Sequence, residues 1–292
     1  NNASKVPFKF FFGAPSCVPA TQFETAGAEI DPDGIEELLS RKEILYLSEM
    51  MNYPGVIYQD PMVMKKIAIA KKFNKPIDGH APGLMGDDLI KYQSAGISTD
   101  HECFTLEEAL EKIALGMKII IREGLAARNF EALHPLINKF PDQIMFCSDD
   151  KHPDELVNGH INLLIKRALK LGYSIFDLIK IACINPVLHY NLPVGILREG
   201  DPADFIIINN INDFDVIETY INGNQVALNG LSFIPEVSES IINNFSIKPL
   251  REDDFRTASL PGLKRVIVAL DGELITKEIS EFIPCGDGIL HS

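Results

Sequence analysis

Three short apolar runs in this chain each end on a side chain able to bind a metal or move a proton, and each then turns into a helical pattern. They are Lys75-Pro76-Ile77-Asp78-Gly79-His80, Gly96-Ile97-Ser98-Thr99-Asp100-His101-Glu102 and Ile144-Met145-Phe146-Cys147-Ser148-Asp149-Asp150. Repeated βα units that carry polar residues at the strand ends fold into parallel sheets or barrels. The strand ends of such a barrel converge on one face and build a catalytic centre there. His80 and His101 are 21 residues apart, one βα unit, so they are expected on neighbouring strand ends. Neutral imidazole is the commonest metal ligand at neutral pH. With a later Ser148-Asp149-Asp150, the two histidines point to metal-assisted hydrolysis rather than to a binding scaffold.

The remaining pattern agrees with that class. Strands are expected at Phe8–Phe12, Ile44–Leu47 (ending near Glu49), before His80, before His101, at Met117–Arg122 and at Ile144–Cys147. Helices are expected at Asp31–Lys42, Pro61–Asn74, Asp87–Ala95, from Thr105 to about Leu115, at Ala126–Lys139, Asp154–Leu171 and Ser174–Ile184. Asp31-Pro32 reads as a cap followed by an N1 proline, and Thr105-Leu106-Glu107-Glu108 as a capping box. Past Pro186 the period shortens to strands at Phe205–Ile208, Val216–Ile221 and Asn224–Leu228, with Asn222-Gly223 as a hairpin turn. A further strand is expected at Arg265–Leu270, followed by an Asp271-Gly272 turn. The expected fold class is α/β: a (β/α)8 TIM-like metal-dependent hydrolase barrel lacking its first two strands, plus a small β unit. Its expected divisions are the barrel over 1–190, the β unit over 191–234 and the start of a C-terminal domain over 235–292.

The chain's 292 residues carry 41 acidic against 27 basic side chains, a net charge of −14, which argues against a nucleic-acid partner, since a phosphate backbone needs a basic footprint. Five cysteines, odd in number and without a Cys-x-x-Cys, read as reduced thiols. No run of 18 apolar residues and no signal-peptide pattern is found, so no membrane partner and a cytoplasmic location are expected. Oligomeric state, including a homo-oligomer, is left open. No Gly-x-Gly-x-x-Gly, Walker or Gly-x-Ser-x-Gly pattern supports a nucleotide cofactor or a serine nucleophile.

From the residues alone, Glu49 reads either as a bridging carboxylate or as a solvated one. Asp149 and Asp150 divide between metal-ligand and base on one side and substrate hydrogen bonding on the other, or else read as an Asp helix cap beside Pro153. Glu102, next to His101, is placed to shuttle protons or is a surface glutamate. His160 is expected to pack on the Leu156/Leu164 side of its helix; His134 is read as peripheral, His189 and His291 as structural, and His152 as a loop residue close to Asp150.

At these residues the chain resembles the amidohydrolase superfamily, and within it the bacterial adenine deaminases. The stretches that carry the likeness are Pro15–Thr21 with Phe23–Ala28, Glu49–Val56, Gly79–Gly83, Thr99–Glu102, Arg122-Glu123-Gly124 with Ala127-Arg128-Asn129, Ser148-Asp149-Asp150, Asn185-Pro186 and Gly200–Phe205. The resemblance implies a divalent-metal centre, binuclear, with Mn2+ or Fe2+ favoured over Zn2+. His80 and His101 become ligands, Glu49 takes the bridging place, and Asp149 is both last ligand and general base. Glu102 is implied as a second catalytic carboxyl, with Asp150, Glu24 and Arg122 binding substrate. The implied partner is a small purine, and the implied reaction is hydrolytic deamination of adenine to hypoxanthine and ammonia. Another amidohydrolase acting on a cyclic amide or aminated heterocycle is the alternative, as is a non-catalytic fragment. The superfamily's first-strand His-x-His has no counterpart here, so the isolated chain is expected to be inactive.

Overall fold

The βα alternation is realised as six short parallel strands with helices packed outside them. The structure, a computed structural model, describes residues 2–20, 26–125, 127–238, 244, 246–255, 257–258, 262–270, 276–282 and 289–290. Residues 1–235 form one compact unit and 236–292 a second.

In the first unit the strands are β1 (Phe12–Pro15), β2 (Ile44–Met50), β3 (Ile77–Gly79), β4 (Thr99–Asp100), β5 (Lys118–Arg122) and β6 (Ile144–Cys147). They pair in parallel as β1-β2-β3 and β4-β5-β6. The two triplets are joined where the Ser98 N–H donates to the Ile77 carbonyl at 2.9 Å. The principal covering helices are α1 (Pro32–Ser40), α2 (Tyr53–Ile57), α3 (Pro61–Lys72), α4 (Gly86–Ser94) and α5 (Leu106–Ala114). They continue as α6 (Phe130–Leu133), α7 (Leu136–Lys139), α8 (Pro153–Leu156), α9 (Ile161–Lys170), α10 (Ile175–Ile179) and α11 (Asn185–His189).

Why the helices start where they do is visible in their caps. Asp31 accepts from the Gly34 N–H and Asp60 from the Met62 and Val63 N–H groups, each with proline at the first helical position. The buried stripe of α1 and α3 (Ile35, Leu39, Val63, Ile67, Ala70) packs with Leu47 and Ile77 into one core. A second core joins Ile119, Ile121, Ile144 and Phe146 to Ala109, Ile113, Leu164, Ala168 and Leu178. Ile119 through Arg122 are all buried, as a parallel strand covered on both faces requires.

Several boundaries differ from the sequence expectation. The first strand begins only at Phe12, where its pairing to Ile44 starts; Phe8, Phe10 and Phe12 stack on one another and stay about half exposed. The helix expected over 126–139 is two short ones parted by Pro135, which cannot donate a backbone hydrogen bond. The long helix expected from Asp154 is broken at Gly159, whose φ of +138° no helix accommodates. Leu156 is therefore exposed while Leu164 is buried, and His160 caps α9 rather than sharing their face. Thr105 does accept from the Glu108 N–H, but the Glu108 carboxylate reaches the Phe104 and Gly83 N–H groups instead of closing the box.

Beyond α11, β7 (Phe205–Ile208), β8 (Val216–Ile221), β9 (Asn224–Leu228) and β10 (Leu231–Ser232) form an antiparallel sheet in the order β10-β9-β8-β7. Asn222 and Gly223 both take positive φ (50° and 77°), the primed turn that a two-residue hairpin needs. In the second unit Lys264–Ala269 pairs antiparallel with Thr276–Glu281, while the Asp271-Gly272 turn lies outside the described residues. Among the described residues no helix is long and apolar enough to cross a membrane.

Gly79 fixes the closeness of β3 and β4. A Cβ there would lie 2.2 Å from the Thr99 carbonyl oxygen and 2.8 Å from Ile97. Because backbone is the obstacle, Gly79→Ala is expected to destabilise the first unit by about 1–3 kcal/mol, the usual cost of overpacking. Urea unfolding followed by far-UV circular dichroism measures it; an unchanged midpoint would show that the strands part freely.

Candidate metal centre

The ends of β2 to β6 bring polar side chains to one point. Glu49 lies at the end of β2, His80 directly after β3, His101 directly after β4, Arg122 ends β5 and Asp149 follows β6. Glu49 Oε2 is 3.2 Å from His80 Nδ1 and 3.2 Å from His101 Nε2. Glu102 Oε1 is 3.2 Å from His101 Nε2 and 3.6 Å from His80 Nδ1, and Asp149 Oδ2 is 3.4 Å from His101 Nε2. The two imidazole rings meet edge to face with centroids 5.3 Å apart.

Three carboxylates thus crowd a single ring nitrogen. His101 Nε2 is nevertheless buried without an aligned hydrogen-bond partner. Oxygen and imidazole donors converging on a nitrogen they do not hydrogen-bond is the donor set of a cation site, and it suits first-row divalent metals. Glu49, His80 and His101 form one group able to hold an ion, and His101, Glu102 and Asp149 another that shares His101.

The electrostatics follow from this crowding. The close approach of His101 and then the hydrogen bond with His80 hold the Glu49 carboxyl well below the usual carboxylate range, against its partial burial. Burial opposes charge on His101, but the Glu102 and Glu49 carboxylates outweigh it and push the imidazole up to about 10. Such an appetite for positive charge is what a bound cation would satisfy. Burial raises the Asp149 carboxyl, with Arg122 and His101 opposing. Arg122 is itself buried. Its Nη1 donates to Glu102 Oε1 and lies 2.7 Å from Asp149 Oδ2, and its Nη2 lies 3.6 Å from Asp150 Oδ1.

Asp149 has φ +45°, a left-handed conformation that Asp tolerates better than most residues. That turn separates the neighbours: Asp149 faces His101, while Asp150 Oδ1 accepts the Leu125 N–H at 2.8 Å. Of the residues singled out in the sequence, Glu49, His80, His101, Glu102, Arg122, Asp149 and Asp150 are therefore brought together; Glu24 lies outside the described residues. His160 stands apart, its Nε2 2.7 Å from Ser148 Oγ beside a cavity of about 230 Å³ lined also by Glu123, Lys151 and Arg167. His134 pairs with the Tyr173 hydroxyl at 2.7 Å.

Some residues that shape the site carry no local signal. The Tyr92 hydroxyl, buried on α4, donates to the Met50 carbonyl at 2.7 Å and accepts the His80 N–H at 3.0 Å, tying the ends of β2 and β3. Asp78, burial pushing its carboxyl up to about 6 against hydrogen bonds from Thr99 and Tyr190, lies on β3 two residues before His80. Asn129 accepts the Arg122 N–H and donates to the His101 and Cys103 carbonyls, so it pins β5 to the loop after β4. Asn129 stands in one of the stretches that carry the family likeness; Tyr92 and Asp78 as side chains looked ordinary.

The profile of the amidohydrolase family matches residues 1–226. The chain belongs to the amidohydrolase family. Amidohydrolases are metal-dependent, as the donor groups at these strand ends agree. Among curated proteins, this amidohydrolase is 53% identical over 283 residues to a protein of Salinibacter ruber named adenine deaminase, an alignment covering 97% of the chain and 52% of that protein. It is 52% identical to an adenine deaminase of Methanosarcina mazei, over 94% of the chain and again 52% of the relative. The chain thus spans about half the length of the curated relatives it matches. Among solved structures it resembles a β-aspartyl dipeptidase of Fervidobacterium islandicum, with TM-score 0.53 and 15% identity over 70% of this chain and 62% of that one. An N-acetyl-D-glucosamine-6-phosphate deacetylase of Mycobacterium smegmatis aligns with TM-score 0.50 and 13% identity over 71% and 64%. Those two likenesses speak for the TIM-barrel hydrolase fold.

Proposed function

We propose that this chain supplies most of the catalytic barrel of an adenine deaminase, hydrolysing adenine to hypoxanthine and ammonia. The observation that carries it is the convergence of Glu49, Glu102 and Asp149 on the buried Nε2 of His101, with His80 Nδ1 beside the same Glu49 oxygen. The relatives named adenine deaminase, at about half identity along nearly the whole chain, support the choice of substrate.

In this reading the six parallel strands are part of an eight-stranded barrel whose remaining two lie outside this chain and bring the missing His-x-His. A binuclear Mn2+ or Fe2+ centre, with Zn2+ less favoured, would be held by Glu49, His80, His101 and Asp149. When bound, such an ion lowers the pKa of water from 15.7 toward roughly 7. Asp149 takes the proton released as water adds at C6 and delivers it to the departing ammonia. Its burial-raised carboxyl, steadied by Arg122, suits a group that must both accept and give a proton. Glu102, with only 2% of its side chain exposed and locked to Arg122, orients His101 and shares the proton transfer. Asp150, 37% exposed, is the carboxylate that meets the purine ring nitrogens, with Glu24 assigned to substrate binding as well. Arg122 acts on substrate through the carboxylates it holds. The acidic surface fits a small neutral purine in the cytoplasm rather than a nucleic acid.

The test uses the full-length protein, stripped with a chelator and reloaded with Mn2+ or Fe2+, assayed with adenine and with a panel of cyclic ureides. Ammonia and hypoxanthine should appear only after reloading and only with adenine. Turnover of a ureide without adenine turnover would replace the substrate assignment. The 292-residue chain assayed beside it should be inactive; comparable turnover would show that the outside strands are dispensable.

A further inference from the structure

A third group of potential metal donors, Asp100, Cys103 and Glu108, lies buried, but an ammonium already pairs with its two carboxylates. Lys112, on α5, is fully buried, and its Nζ lies 2.6 Å from Glu108 Oε1 and 3.3 Å from Asp100 Oδ2. It also donates to the Ala81 carbonyl at 2.7 Å. The carboxylates it neutralises are spent on backbone. Asp100 accepts the Ala81 N–H at 2.9 Å through one oxygen and the Glu102 N–H at 2.7 Å through the other. Glu108 accepts the Gly83 N–H at 2.8 Å and the Phe104 N–H at 3.3 Å.

Five backbone groups from two loops, those after β3 and after β4, therefore end on one buried triad. Those are the loops that open on His80 and His101. A burial of two carboxylates around one ammonium is costly and is retained only with every partner in place. An apolar plug of the same volume would leave these five backbone groups without partners, so the charge arrangement does more than fill space. We propose that Lys112, through Asp100 and Glu108, is a positioning residue that clamps the His80 and His101 loops into metal-binding register. The inference rests on the metal-centre reading above.

In the full-length protein, Lys112→Met keeps the volume and removes the clamp's charge. Asp100→Asn is the second variant, because an amide can accept at only one of the two loop N–H groups. Leu178→Ala, on α10 where it packs with α7 and α9, serves as a destabilised control on an element that carries neither loop. Mn2+ affinity is measured by titration, and the electron paramagnetic resonance spectrum of bound Mn2+ reports the ligand geometry. The clamp variants should bind Mn2+ about 10–100-fold more weakly, the usual cost of losing a partner that orients ligands, with an altered spectrum. The control should lose thermal stability while keeping affinity and spectrum. If Lys112→Met fails to fold, Asp100→Asn carries the same expectation alone. Wild-type affinity and spectrum in the folded clamp variants, or an equal affinity loss in the Leu178 control, would overturn the clamp. A wild-type protein that takes up no Mn2+, Fe2+ or Zn2+ would instead overturn the metal-centre reading, and the clamp with it.

Discussion

His101→Ala in the full-length protein should abolish bound metal and adenine turnover together. His101 is the side chain shared by both donor groups, with Glu49, Glu102 and Asp149 all directed at its Nε2. Loss of a partner that only orients a ligand costs 10–100-fold in metal affinity, so loss of the central imidazole should exceed about 100-fold. Removing the imidazole also leaves three carboxylates facing one another with Arg122 as their remaining near cation, and their mutual repulsion should open the site further. His80→Ala should act in the same direction but less severely, because His80 belongs to one donor group and is more exposed. Metal analysis by mass spectrometry and an ammonia-release assay decide the matter. Full metal occupancy in His101→Ala would sink the ligand assignment, whatever the activity.

The second large effect is expected at Asp149. Asp149→Asn should keep the fold, since asparagine tolerates the left-handed φ of +45° as aspartate does. It should lower kcat by about 10²–10⁴-fold, the contribution of a positioned general base. An amide cannot take the proton, although its oxygen still offers a weak ligand. Asp150→Asn should act mainly on KM, because Asp150 is turned away toward the Leu125 N–H and the outer edge of Arg122. The comparison is a kcat and KM measurement on both variants at matched metal loading. A larger fall in kcat for Asp150→Asn would mean that the two neighbours have their roles reversed.

Much of this site was legible along the chain because barrel chemistry sits at strand ends, and strand ends are marked locally. An apolar run that stops at Gly79-His80 or Asp100-His101 announces both the strand and the donor in the same few residues. The helix starts were legible for a similar reason: Asp31, Asp60 and Thr105 make their capping bonds within a few residues. Helix continuity was less so. The apolar period from Leu156 to Leu164 looked like one face until Gly159, at φ +138°, turned the chain between them.

What the sequence by itself determined was the βα order and the residues that strand ends would present. What only the tertiary structure decided was which charges are inside. Glu108 and Lys112, four apart on a helix, look like a solvated surface pair, yet both are buried with two loops hung on them. Arg122, which the resemblance implies as a substrate-binding residue, is buried against the Glu102 and Asp149 carboxylates. Local pattern records a side chain's own helix or strand. Burial depends on which distant segment covers it, and that pairing is set by the packed core rather than by neighbours in the chain.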